Sequence, residues 1–254
     1  MHISLQGRVA LVTGGSRGIG HAIALALAEA GADIAINYRS DHAAAEETIS
    51  EIGKLGRKAK AYVCSVDQWD DNVRMVDQII SDFGSIGILI NNAGIASRGK
   101  IIADTDPLEP ARLMAVHCFA PFYLTKLVLP HMRKLGRGDI IMISSGATLT
   151  MAANGGPYNM AKAAMEALAL TLAKEERKYG IRTNIVAPSL TVTEMGIRLS
   201  KSAMGVKDIH ELDAQSPFGR VSVPEDVASV VTYLVSDQNP YVNGEKITVN
   251  GGGK

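Results

Sequence analysis

Thr13-Gly14-Gly15-Ser16-Arg17-Gly18-Ile19-Gly20 follows the apolar run Val9-Ala10-Leu11-Val12 and opens a segment in which Ile19, Ile23, Ala26, Leu27 and Ala30 recur on one helical face. The run reads as a buried strand and the segment as a helix that Gly31 ends. Glycines at 14, 18 and 20 permit a tight turn, let a pyrophosphate approach the backbone and let the helix pack closely on the strand. The helix N-terminus then faces the phosphates with free N–H groups. Without its setting the triplet would mark only a turn; after a first strand it marks a nucleotide site, with Ser16, Arg17 and Ile19 in the cradle.

Outward from this turn, short apolar runs alternate with longer segments of helical period. Ile34–Tyr38, Lys60–Cys64, Ile86–Ile90, Ile140–Ile143, Thr183–Ala187 and Lys246–Val249 read as six further strands. Helices are expected from about Asp41 to Leu55, near residues 70–82, from about Leu108 to Leu135 and from Pro157 to Tyr179. Strands that are apolar without alternation are covered on both faces. Repeated β-α units therefore predict an α/β fold, a parallel sheet with helices on both sides. No linker, repeat or low-complexity stretch divides residues 1–254, so one unit is expected. Ser189 to about Pro217 reads as a long polar loop, and loops of that length are commonly lids.

With 254 residues, 46% of them hydrophobic, the chain has material for a sizeable core. Lys+Arg and Asp+Glu are both 26, which gives no electrostatic case for nucleic acid or an anionic membrane surface. Aromatic content of 5% adds no base-stacking platform. Cys64 and Cys118 are too few for a disulfide framework or a cysteine-rich metal site, and the six histidines form no close ligand pair. No uncharged apolar run reaches the roughly 18 residues of a membrane span. Residues Met1 to Arg8 lack the layout of a secretion signal, so a cytoplasmic location is expected.

The Gly-x-x-x-Gly-x-Gly spacing, together with later motifs, resembles the short-chain dehydrogenase/reductase family. Asn91-Asn92-Ala93-Gly94 follows the fourth strand, Tyr158-Asn159-Met160-Ala161-Lys162 matches a Tyr-x-x-x-Lys, and Pro188-Ser189 and Thr193-Glu194-Met195 look like two further family elements. The likeness runs from residue 7 to 252. It implies one Rossmann-type doubly wound sheet in the order 3-2-1-4-5-6-7 and a dinucleotide-binding oxidoreductase with a substrate lid at about 189–217. It also places Asn91, Ala93, Gly94, Pro188, Thr191 and Thr193 beside a nicotinamide cofactor.

The end of the second strand bears on which cofactor. An acidic residue there would bond the ribose hydroxyls of NAD(H) and repel a 2′-phosphate. Neutral Tyr38 holds that place, with Arg39 and Ser40 next and Arg17 in the glycine loop. Guanidinium groups suit a phosphate, so NADP(H) is expected ahead of NAD(H). The plainer alternative makes Arg39 a solvated loop charge and pairs Arg17 with a carboxylate. Ser65-Val66 occupies the place where the family often has Asp-Val beside the adenine.

Tyr158 and Lys162 are four apart and share one face of a helix. Ser145 precedes Tyr158 by thirteen residues, the family interval, with Ser144 as its neighbour and competitor. The implied chemistry is hydride transfer coupled to proton transfer through Tyr158, whose phenol an adjacent ammonium is expected to acidify. Ser145 would hydrogen-bond the substrate oxygen, and Lys162 would hold the nicotinamide ribose. One departure concerns the long helix, where His117 stands in place of the family's Asn. It is either a member of the proton path or a buried histidine satisfied by backbone.

The substrate is expected to be a small-molecule ketone or secondary alcohol. The lid's Leu190, Met195, Leu199, Met204 and Val206 could roof an apolar one. Reductases of 3-oxoacyl carrier-protein thioesters carry a basic residue where this chain has Tyr179, although Arg177 and Lys178 are adjacent. A catalytically impaired nucleotide-binding regulator is a competing class, with His117 as its only support. Family resemblance further implies a homo-oligomer, a dimer or tetramer built on the two long helices.

Overall fold

The computed structural model describes residues 3–253. Its first half runs β1 (Val9–Thr13), α1 (Gly18–Glu29), β2 (Asp33–Tyr38), α2 (His42–Lys54), β3 (Ala59–Val63), α3 (Trp69–Phe83) and β4 (Ile88–Asn91). The second half runs α4 (Glu109–Met114), α5 (Ala120–Leu135), β5 (Gly138–Ile143), α6 (Ala147–Thr150), α7 (Gly156–Glu176), β6 (Ile181–Pro188), α8 (Glu194–Met204), α9 (Pro224–Val235) and β7 (Lys246–Val249). The seven strands form one sheet in the order β3-β2-β1-β4-β5-β6-β7, every neighbour parallel.

Alternation along the strands divides the core in two. Ala10, Val12, Ile34, Ile36, Ile88, Ile90, Ile141 and Ile143 join α1, α2 and α9 on one face. Leu11, Ala35, Leu89, Ile140 and Met142 join α3, α5 and α7 on the other. Both faces being covered, the strands needed no polar side, which is why they read as unbroken apolar runs. Each large side chain so buried contributes about 1.5–3 kcal/mol.

Chain order reverses after β3, so β1 lies between β2 and β4. Loops leaving the C-terminal ends of β1 and β4 diverge there and leave a crevice, where ligands of such sheets bind. The stretch expected to be a polar loop after Ser189 is largely helical. It carries α8, a 3-10 segment Ile209–Gln215 and a turn Pro217–Gly219. Thr193 caps α8 by accepting from Gly196 N, and Asp208 forms a capping box with Glu211, so its polar residues are helix ends.

The helical stretch Glu109–Leu135 is long and apolar enough to cross a membrane by length and composition. Here Leu113, Leu124, Val128 and Met132 are buried in the protein, while Phe119 and Phe122 face outward. Between α4 and α5 the helix widens into a single π turn, Ala115–Phe119.

Candidate active site

The glycine loop closes on itself as its sequence requires. Gly18 has φ +55°, the left-handed region, and a Cβ on Gly20 would stand 2.2 Å from the Gly14 carbonyl oxygen. No side chain caps α1 at Arg17, which leaves its first N–H groups for an anion. Asn92 ties this loop to the next strand. Its Nδ2 donates to the carbonyls of Thr13 (2.9 Å) and Gly14 (3.1 Å), and the N–H groups of Asn92 and Ala93 both donate to Thr13 Oγ1. An uncapped helix end behind a loop with no room for side chains fits a pyrophosphate.

One open cavity of about 1720 Å³ runs from this loop along the C-terminal ends of the strands. It is lined by Gly14, Ser16, Arg17, Gly18, Ile19, Arg39, Ser40, Ser65, Val66, Ala93, Gly94, His117, Ser145, Tyr158, Lys162, Pro188, Thr191 and Thr193. Two expected residues do not line it. Gly20 acts through close packing beneath the loop. The buried side chain of Asn91 points into the β4–β5 layer, with Nδ2 on Met142 Sδ, and Asn92 lines the wall.

At the far end of β2, Arg39 and Ser40 are exposed, and Arg39 has no ion pair among the described residues. Arg17 is held at 3.1 Å by Glu194 and 3.7 Å by Asp41. Asp41 Oδ1 already accepts from Ala44 N as the cap of α2, so its geometry belongs to the helix end. Ser65 Oγ donates to Asp67 Oδ1 at 2.6 Å, and Asp67 lines the cavity, so a carboxylate returns two residues beyond its usual place. Neither Asp41 nor Asp67 was among the expected residues; an acidic residue one turn past each strand end was the signal.

Beyond β5 the two serines diverge. Buried Ser144 donates its hydroxyl to Glu166. Ser145 Oγ accepts from Ala147 N at 3.1 Å and lines the cavity together with Tyr158. Tyr158 and Lys162 project from the first turns of α7, with Nζ 5.7 Å from the phenol ring centre. Lys162 Nζ donates to the Ile143 carbonyl at 2.7 Å. Burial lowers its pKa to about 7, against the pull of Glu166. Burial raises the pKa of the Tyr158 phenol and Ser145 opposes this, while the Lys162 ammonium is turned to Ile143.

His117 sits in the π turn, its ring edge-on to Tyr158 at 5.3 Å between centres. Such turns recur at functional sites because the extra residue re-aims a side chain. Nε2 lies 2.8 Å from Ile95 O and 3.2 Å from Ile95 N, while buried Nδ1 has no partner. Burial, then the Lys162 charge, push its pKa down to about 3, so the imidazole is neutral around pH 7. Tyr179 precedes β6, at the sheet edge opposite the cavity, with Arg133 over its ring at 4.5 Å.

A doubly wound sheet, an anion cradle at its switch point and a Ser/Tyr/Lys trio around a buried lysine in the same cavity define a dinucleotide-binding oxidoreductase. A family model described as enoyl-(acyl carrier protein) reductase matches residues 14–254. The chain is 37% identical to an NADPH-dependent aldehyde reductase-like protein, chloroplastic, of Arabidopsis thaliana, over 98% of this chain and 95% of that one. It is 35% identical to a 3-oxoacyl-[acyl-carrier-protein] reductase of Staphylococcus epidermidis, over 96% and 97%. Among solved structures, a 7α-hydroxysteroid dehydrogenase complexed with NADH and 7-oxo glycochenodeoxycholic acid superposes with TM-score 0.90 at 31% identity, over 98% and 95%. The chain belongs to the short-chain dehydrogenase/reductase family.

Proposed function

We propose that the protein is an NADP(H)-dependent reductase of an uncharged, largely apolar ketone, run in reverse as an alcohol dehydrogenase. The observation that carries this is the convergence of Ser145, Tyr158 and Lys162 on the cavity that also holds the phosphate cradle. Bound nicotinamide supplies or takes the hydride. Tyr158 gives its proton to the carbonyl oxygen in reduction, a role that suits a phenol kept protonated by burial. Ser145 donates a hydrogen bond to the same oxygen as charge develops on it. Lys162 spends one of its three donors on Ile143 O and has two left for ribose hydroxyls. Neutral His117 serves as a fixed wall for Tyr158, its buried Nδ1 left without a partner.

Arg39, Ser40 and Arg17 favour the 2′-phosphate, and the relative named as NADPH-dependent agrees. NAD(H) is the second reading, favoured by Asp41 beside Arg17. A cavity well above the usual 300–1,000 Å³ leaves space for a substrate beside the dinucleotide. Leu149, Met195, Leu199, Met204 and Val206 line that space. Its two cations are matched internally, Arg198 by Glu194 and Arg220 by both oxygens of Asp226. No unpaired charge there calls for an anionic substrate. A cyclic or polycyclic ketone fits better than an acyl thioester, which the matched reductase's name keeps as a competitor.

In this reading residues 1–254 act as one catalytic unit, with α8 and the 3-10 turns after it as the substrate lid. Phe119, Phe122, Met160 and Leu170 form an exposed apolar surface on the long helices that would join subunits of a cytoplasmic dimer or tetramer. The test is NADPH oxidation across cyclic ketones and 3-oxoacyl thioesters, with NADH in parallel and subunit number by light scattering. Turnover of cyclic ketones with NADPH preferred is expected. No consumption of either cofactor over the whole panel would overturn the enzyme reading and leave a nucleotide-binding regulator.

A further inference from the structure

Beneath the trio lies a polar cluster that the mechanism does not use. Glu166 stands on α7 one turn past Lys162. Its Oε1 accepts from the hydroxyl of Ser144 and lies 2.7 Å from Thr148 Oγ1, while Lys246 Nζ of β7 reaches the carboxylate at 2.8–2.9 Å. Lys246 also donates to Thr148 Oγ1 at 2.6 Å, and Thr148 Oγ1 stands 2.7 Å from the Ser145 carbonyl. Ser144 and Thr148 are buried, and they bracket Ser145 in sequence. Thr148 has a single proton, so the Ser145 carbonyl and Glu166 share it.

We propose that Glu166 is a positioning residue of the reaction: through Ser144 and Thr148 it holds Ser145 beneath Tyr158, and it is the counter-charge one helical turn from Lys162. This rests on the reading of Ser145, Tyr158 and Lys162 given above.

Two features set the cluster apart from a plain staple between α7, β5 and β7. First, it grips Ser144, directly before the serine at 145, and Thr148, three positions after it, and leaves that serine's own hydroxyl to Ala147 N and the cavity. Second, its carboxylate stands on the same helix four residues from the lysine and raises the lysine's pKa against burial. Around Lys162 stand Glu166 and Tyr158 from its own helix and His117 from the π turn, with Lys246 of β7 behind Glu166. His117 is neutral, and Glu166 is the carboxylate that sustains the ammonium. Glu166 and Lys246 therefore act on Lys162 with opposite sign.

The test uses the full chain with the ketone that the wild type turns over best, measuring kcat, KM, Tm and the pH–rate profile from about pH 5 to 9. Glu166→Gln keeps the shape and loses the charge. Its kcat should fall about tenfold with KM within about twofold, and the basic limb should move to lower pH by roughly one unit. Lys246→Met should move that limb to higher pH, since it leaves the carboxylate uncompensated. Glu166→Asp keeps the charge and shortens the reach, so kcat falls and the limb stays.

A merely structural staple would send the first two limbs the same way or leave them in place, with kcat tracking Tm; that result overturns the proposal. Should Glu166→Gln fail to fold, Lys246→Met against Glu166→Asp carries the same contrast. A wild type without turnover on any carbonyl overturns the underlying reading instead, and this proposal with it.

Discussion

Strand β5 carries a charged cluster at each end, and the two are built on opposite principles. At its N-terminal end Asp139, 1% exposed, takes Arg8 at 2.7 Å and Arg182 at 2.6 Å, with Arg137 at 3.6 Å. Spare guanidinium donors go to the carbonyls of Gly87, Val235 and Ser236. No buried side-chain polar atom there lacks a partner among the described residues, although three guanidinium groups share Asp139 and burial lowers the pKa of Arg137, and the cluster ties the starts of β1, β5 and β6 to the end of α9. At the C-terminal end Lys162 has one carbonyl and a carboxylate one helical turn away, His117 has an unpartnered nitrogen, and three groups, His117, Tyr158 and Lys162, have pKa values driven by burial. Buried charge that is matched staples a fold; buried charge left unmatched is held ready for something else.

The sharpest way to break this contrast is to remove one group from each end. Tyr158→Phe should lower kcat about 10²–10⁴-fold while Tm barely moves. Asp139→Asn should do the reverse. It leaves guanidinium groups without their carboxylate and costs about 3–5 kcal/mol in urea unfolding, with turnover per folded molecule unchanged. If the tyrosine variant lost stability and the aspartate variant lost turnover, the division of labour along β5 would be wrong.

Arg39 extends the comparison to the cavity mouth. Arg39→Asp should weaken NADPH roughly 10–100-fold, the worth of a charge-assisted bond of about 1.5–3 kcal/mol, and NADH far less. Equal losses in a fluorescence titration would return Arg39 to the solvent. A smaller effect comes from Lys162. Its folded pKa near 7 lies below the ordinary 10.5, so the unfolded chain binds more protons between those values. Wild-type stability therefore climbs as pH rises from about 7 to 10.5. Lys162→Met, without turnover, should melt a few degrees higher near pH 7, and the gap should close toward pH 10. A variant that melts lower at every pH would show that Lys162 is a structural residue.

Much of this was legible in the sequence because local pattern and tertiary need coincide. β1 falls where its apolar run lies, since all five of its residues are buried, and β7 falls at the expected Lys246–Val249 although it is a half-exposed edge strand. Tyr158 and Lys162 were picked out by the family resemblance, and helical spacing places both on one face of α7. What escaped depends on partners far along the chain. Glu166 is an ordinary helix residue until Lys246, eighty positions on, arrives beside it. Asn91 and Asn92 are identical in type, and only the direction of the strand decides which meets the cavity. The segment after Ser189 looked like loop because its helices are short and their polar caps dominate its composition.

The smallest expected effect belongs to His117. Its sequence position suggested a group that titrates near neutrality, but the π turn buries it against Lys162 and Ile95. A ring with a pKa of about 3 carries no proton to lose between about pH 5 and 8. His117→Asn should therefore leave the pH–rate profile superimposable over that range. The residue should show instead in stability. Because its folded pKa lies below the ordinary 6.5, the unfolded state binds more protons as pH falls from about 6.5 toward 3. Wild type should lose stability over that window, and the Asn variant should lose less. A kinetic limb that vanishes in His117→Asn would mean the imidazole does carry protons, and that the matched-against-unmatched contrast along β5 has placed its neutral wall in the wrong group.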